Sequence, residues 1–160
     1  MNSTEPQSPS TTPATMKIHP PILAAALVLV TLALHFMLPE ERAVGWYQVI
    51  GLLVVAAGVA LMFFAAAIFQ ARATTKNPYG EPTAFVTQPP YTWTRNPMYL
   101  SFVTTLLGLA IFFGSIAMLI APAVFYAVID RMVIPREEET MERLFGNDYA
   151  AYKDRVRRWI

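Results

Sequence analysis

Cysteine is absent from the 160-residue chain, which excludes disulfides, thiolate zinc sites and a cysteine nucleophile together. Charge is scarce as well. Charged residues make up 14%, where soluble domains carry roughly 25%, so the chain is short of solvating surface. A formal net charge of +1 supplies no basic face of the kind that displaces counterions from nucleic acid. His19 and His35 both precede the second apolar run, which leaves no histidine cluster for a metal. There is no glycine-rich phosphate loop, no GxGxxG after a strand, no HExxH and no Ser-His-Asp spacing. A Rossmann-type nucleotide site is therefore excluded.

What the chain has is apolar sequence: 55% of it is hydrophobic. Residues 1–15 are rich in Ser, Thr and Pro with Glu5 as the single charge, a composition that cannot offset ordering entropy and reads as a disordered tail. Residues 16–160 read as a single integral membrane domain, all-α, with about four transmembrane helices. The spans are predicted at about 21–38, 44–69, 98–113 and 115–134, each close to the length that crosses a ~30 Å hydrocarbon core. The last two form a helical hairpin, because Phe112-Phe113-Gly114-Ser115 interrupts a run too long for one span. Pro122 is expected to kink the fourth. Trp46 and Tyr47 suit an interfacial aromatic belt, and Gly51, Ala56, Ala57, Gly58 and Ala60 suit close helix approach. His35, a turn from the Pro39-Glu40-Glu41-Arg42 loop, reads as an interfacial histidine.

Between spans two and three, residues 70–97 carry prolines at 78, 82, 89, 90 and 97, which forbid a continuous helix. A long irregular loop with this aromatic content (Tyr79, Phe85, Tyr91, Trp93) is the mark of a functional one. Residues 135–160 read as a C-terminal amphipathic helical segment broken at Gly146-Asn147. Met141, Phe145, Tyr149, Tyr152, Val156 and Trp159 recur at steps of three and four, forming an apolar stripe. Arg157-Arg158-Trp159-Ile160 reads as an anchor to anionic headgroups. With these spans, eleven of the twelve basic residues fall on one face and Arg42 alone on the other. The positive-inside rule then makes both termini and both charged clusters cytoplasmic.

Those clusters are Arg95-Asn96-Pro97-Met98-Tyr99 at the entrance to span three and Arg136-Glu137-Glu138-Glu139 just past span four. The hairpin returns them to the same membrane surface. Pro97 suits the first helical turn and Asn96 the N-cap, so Arg95 beside that cap makes an anion site. Glu137 and Glu138 offer the opposite charge, which together would hold a zwitterion. Tyr91, Trp93 and Tyr99 would stack an adenine or face a sulfonium. The same residues also admit a plainer reading, with arginine as a topology anchor and glutamates that complement a helix dipole.

The stretch from about Ala73 to Ile160 resembles the isoprenylcysteine carboxyl methyltransferase and phospholipid methyltransferase superfamily of integral membrane enzymes. That family carries Arg-His-Pro-x-Tyr-x-Gly before a helical hairpin, then a Glu-Glu pair, then Phe-Gly and spaced tyrosines. The counterparts here are Arg95-Asn96-Pro97-Met98-Tyr99-Leu100-Ser101, Glu137-Glu138, Phe145-Gly146, Tyr149 and Tyr152. Asn96 and Ser101 stand where the family has His and Gly, and Pro89 where relatives often have Gly. The resemblance implies S-adenosylmethionine bound on the cytoplasmic side of a membrane, in bacteria the inner one. Arg95, Pro97 and Tyr99 would shape the pocket and Glu137 or Glu138 hold the amino group, with Tyr91, Asn96 and Tyr149 in the same set. It also implies a lipophilic acceptor entering from the bilayer (a carboxylate, thiol or lipid amine), methylated by in-line displacement. No catalytic residue is singled out, although Glu81 and Glu139 are the acids available as a base. Two other classes stand beside this one: an NADPH-dependent membrane reductase of the sterol-reductase type, and a non-catalytic lipid-binding membrane protein. The first would want more basic residues for its phosphates than Arg72, Lys76 and Arg95.

Overall fold

A computed structural model describes residues 18–37, 45–72 and 85–160; the expectations for the 1–15 tail, the 39–42 loop and Glu81 fall outside them. Every regular element among the described residues is helical: α1 (Pro20–Met37), α2 (Trp46–Arg72), α3 (Pro97–Phe113), α4 (Ile120–Val128) and α5 (Ile134–Arg155). A 3-10 turn (Ala117–Leu119) opens α4 and a π turn (Ile129–Val133) joins α4 to α5. Three helical runs are long and apolar enough to cross a membrane: α1, α2 and the continuous run Ala117–Arg155. The apolar part of the last is its N-terminal half. At 17 residues, α3 is a shorter apolar helix.

Local chemistry sets the boundaries. Pro97 opens α3 at its first turn, where a missing N–H leaves no bond unmade. Gly114 closes it in the left-handed conformation at φ 61°, its N–H reaching Ala110 and Ile111 carbonyls. That is the glycine C-cap, and it makes the hairpin turn where the sequence placed it. Pro122, expected to kink this helix, lies in the first turn of α4, where the fewest N–H bonds are at stake. The irregularity of this helix is the π turn further on.

Backbones of α2 and α3 approach closely. A Cβ added at Gly51 would lie 2.4 Å from the Phe112 nitrogen, and one at Gly108 would lie 2.6 Å from the Val55 nitrogen. Glycine is needed on both helices because the nearest atoms are backbone, which cannot move aside as a side chain can. On the other side, α1 packs against α4, around a core of Ala24, Leu106, Ala121, Phe125, Ile129 and Ile134. His35 lies in the last turn of α1, facing the protein. It is 3% exposed, its ring 5.2 Å from that of Phe36 and 5.4 Å from that of Phe113.

The expected break in the C-terminal segment is present. Gly146 has φ 51° and ψ −123° inside α5. Beyond it, Tyr149, Tyr152 and Val156 form a buried cluster with Phe85, Met141 and Phe145, so the apolar stripe caps the irregular loop. Trp159 departs from the stripe and packs with the α1–α4 core instead. Gly146→Ala tests the break, since nothing lies within 4 Å of the added Cβ. Its cost is then backbone strain alone, about 1–3 kcal/mol for a conformation that only glycine adopts freely. Chemical denaturation in detergent should report that loss; an unchanged midpoint would mean that the break is not required.

Candidate active site

Two clusters meet at one end of the bundle, as the hairpin requires. Arg95 leaves the irregular loop just before α3 and points into the first turn of α5. Its Nη2 donates to Glu138 Oε1 at 2.7 Å, and its Nη1 donates to the carbonyls of Val156 (2.7 Å) and Lys153 (3.2 Å). The two side chains are 10% and 9% exposed, dry enough for the pair to be strong and costly to break. Glu138 has a second guanidinium: Arg158 Nη2 donates to its Oε2 at 2.6 Å. Arg158 Nη1 continues to Asp130 Oδ1 at 3.2 Å, and Trp159 Nε1 donates to that same oxygen at 2.9 Å. Burial works against the charge of Glu138, but its two arginine bonds outweigh it and hold the carboxyl below the usual range.

The neighbouring acid does something else. Successive helical residues point about 100° apart, so Glu137 turns away from the arginines and accepts a 2.6 Å bond from the Tyr99 hydroxyl. As a residue Glu137 is exposed, but its carboxyl lies against apolar walls. That desolvation pushes its pKa up, opposed by the Tyr99 bond and aided by the charge of Glu138. Tyr91 is also buried. Its hydroxyl donates to the Ala65 carbonyl of α2 at 3.4 Å, and its own carbonyl accepts from Tyr152 at 2.7 Å. Desolvation pushes Tyr91 up to about 12 and, with help from the charge of Glu138, Tyr149 likewise up to about 12. Both phenols stay neutral near pH 7, and that of Tyr91 acts as a hydrogen-bond donor.

Between these groups lies a cavity of about 530 Å³, inside the range of about 300–1,000 Å³ common for small-molecule sites. Tyr91, Arg95, Asn96, Pro97, Tyr99 and Glu137 line it, along with Phe69, Met98, Arg136, Thr140 and Met141. A smaller cavity of about 90 Å³ shares Tyr91, Arg95, Asn96 and Glu137 and adds Glu138 and Tyr149. All eight residues singled out in the sequence therefore converge on this one place. Trp93 does not: it is 62% exposed and faces Phe64. Asn96 stands at the N-cap position of α3 without a capping bond; its Nδ2 donates to the Arg158 carbonyl at 3.0 Å. Arg95 Nε is buried with no partner.

Asp130, Arg158 and Trp159 were not found by sequence reasoning. The headgroup anchor expected at Arg157-Arg158-Trp159-Ile160 is instead, at 158 and 159, a set of internal bonds. A charged residue inside an apolar run is a functional signal by default, and Asp130 carried it. Its partners lie 28 and 29 residues on, with no periodicity to connect them.

The phospholipid methyltransferase family profile matches residues 46–148, from the start of α2 to just past the Gly146 break. The chain belongs to this family. The match spans the glycine-packed α2–α3 pair, the Arg95 loop and the Glu137-Glu138 turn, which are the elements that build the cavity. Together with the span-forming helices, family membership makes the chain an integral membrane protein of a methyltransferase family. An uncharacterized protein of Haemophilus influenzae is 38% identical over 63 residues, covering 39% of this chain and 100% of that protein. No solved structure matches at a significant level.

Proposed function

We propose that the chain is an S-adenosylmethionine-dependent methyltransferase acting on a lipophilic acceptor, with the cofactor held in the 530 Å³ cavity. The observation that carries this reading is the donor set. One open carboxylate, Glu137, lies in a cavity with Arg136 at its wall, a buried unpartnered Arg95 Nε, and aromatic and thioether faces. That set suits a zwitterion attached to a flat ring system. Glu137 would hold the ammonium, and Arg95 Nε with Arg136 the carboxylate. Tyr91, Phe69, Met98 and Met141 would flank the adenosine and exclude water. Glu138, its charge already met by Arg95 and Arg158, supports the wall and does not face the ligand.

When bound, S-adenosylmethionine supplies a methyl group already activated on a sulfonium. The chain's own task is then alignment and dehydration, and orientation of this kind can contribute several kcal/mol. Glu137 is the one acid lining the larger cavity among the described residues. With it engaged by the ammonium, no other acid among the described residues lining the larger cavity is left to serve as a base for an amine acceptor, which favours a carboxylate or thiolate. The acceptor would enter from the bilayer, with the cavity on the cytoplasmic side, the face that bears the basic residues.

Titration of detergent-purified protein with S-adenosylhomocysteine should give micromolar binding, and NADPH none. Glu137→Gln should weaken that binding roughly tenfold to a hundredfold, the worth of about 1.5–3 kcal/mol for a charge-assisted bond. Wild-type affinity in Glu137→Gln would remove this residue from the site. Absence of binding by the unaltered protein would withdraw the cofactor, and binding of NADPH would move the chain to the reductase class.

A further inference from the structure

Asp130 lies in neither cavity, near the end of the apolar part of the last helical run, in the π turn Ile129–Val133. Single π turns inside α-helices are frequent at functional sites. Here it sets Asp130 where one carboxylate oxygen receives both Arg158 Nη1 and Trp159 Nε1. The Trp159 ring meanwhile lies 4.6 Å from that of Tyr126 on α4. The C-terminal strap so pinned, residues 156–159, is bonded along its length to the cavity wall. The Arg95 N–H donates to the Arg157 carbonyl at 2.9 Å, and the Arg158 carbonyl accepts from both Thr94 Oγ1 and Asn96 Nδ2 at 3.0 Å. Arg95 Nη1 reaches the Val156 carbonyl, and Arg158 grips both carboxylate oxygens of Glu138, sharing Oε1 with Arg95.

We infer that Asp130, with Arg158 and Trp159, forms a clasp that positions Arg95 and Asn96 for the ligand, making Asp130 and Trp159 positioning residues of the active site. The inference rests on the cofactor reading above. Arg95 and Asn96 lie in irregular backbone, and their side chains draw their bonds from the strap, Glu138 and the Lys153 carbonyl of α5. Release of the strap takes the Val156 carbonyl from the Arg95 guanidinium and the Arg158 carbonyl from Asn96, which loosens the wall. Coupling between sites is reciprocal, so a ligand that needs the clasped wall must also tighten the clasp.

The experiment measures S-adenosylhomocysteine affinity and thermal unfolding side by side in the unaltered protein, Asp130→Asn and Trp159→Phe. Trp159→Phe removes the N–H donor and keeps the ring on Tyr126. Each variant should weaken binding about tenfold while its unfolding temperature stays within a few degrees of the unaltered value. Arg158→Lys, which keeps the charge, should recover much of the affinity lost in Arg158→Gln. With Trp46→Phe and Trp93→Phe as background, emission from Trp159 should shift on ligand binding, and Asp130→Asn should abolish the shift. Unaltered affinity in Asp130→Asn and Trp159→Phe would overturn the clasp while leaving the cofactor reading intact. Affinity that falls only in proportion to unfolding would also overturn it, since the clasp would then be structural. Silence from the unaltered protein would overturn the cofactor reading and the positioning role together.

Discussion

Glu138→Ala should be among the most damaging single substitutions, destabilising the protein by about 3–5 kcal/mol. The carboxylate receives Arg95 at 2.7 Å and Arg158 at 2.6 Å, so its removal leaves two guanidiniums facing each other without a counter-charge. Arg95 is the more constrained, being largely buried, although it keeps the Val156 and Lys153 carbonyls. The expected readout is a fall in apparent unfolding temperature on the order of 10 °C, with loss of S-adenosylhomocysteine binding. Replacing both partners, as in Glu138→Met with Arg158→Met, removes the charges together and should recover part of the stability but none of the binding. If Glu138→Ala unfolds like the unaltered protein, the arginine bonds contribute nothing net and the site is held by packing alone.

The same group sets a pH limit. In the folded protein the Glu138 carboxyl is held below its ordinary range, against an unfolded value of about 4.3. Its stabilisation is therefore fully present above the unfolded pKa and is lost as pH falls through the lower, folded one. Stability should be flat with respect to this group from neutral pH to about 5. It should fall below about 4, and that acid-side loss should be absent in Glu138→Gln.

Gly108→Leu is the second large effect, and it acts on a different part of the structure. Its Cβ would lie 2.6 Å from the Val55 nitrogen and 3.0 Å from the Gly51 carbonyl, so the strain cannot be relieved by a rotamer change. The cost belongs at the top of the range of about 1–3 kcal/mol for overpacking, or beyond it. The functional loss should exceed the stability loss, because α3 is the helix on which α2 chiefly packs. From α2 come Phe69, which lines the cavity, and Ala65, whose carbonyl holds the Tyr91 hydroxyl. Moving α2 outward opens that wall. Gly108→Leu should fold in detergent with a lowered unfolding temperature and bind S-adenosylhomocysteine at least tenfold more weakly. Normal affinity in a destabilised Gly108→Leu would show that the α2 wall is dispensable.

Hydropathy and local chemistry determined a good deal of this protein. The apolar runs, Gly114 as a turn, Pro97 as a helix opener and the break at Gly146 each depend on a few neighbouring residues. Backbone propensity and the length of a bilayer crossing act locally, so sequence alone carried them. The meeting of Arg95 with the Glu137-Glu138 pair also followed, because a hairpin of two similar spans must return its ends to one surface. The choice of partners was decided by the tertiary structure. Glu137 and Glu138 are adjacent and chemically alike, and only the rotation of α5 about its axis turns one toward two arginines and the other toward Tyr99 and the cavity. Arg158 and Trp159 resembled a membrane anchor because their partner, Asp130, lies in a different helix. At Val156 the backbone leaves the helix in an extended conformation (φ −121°, ψ 126°), and beyond it there is no helical period to say where the side chains point. What turns them inward is the π turn that sets Asp130 beneath them, and the buried Glu138 carboxylate that draws on Arg158.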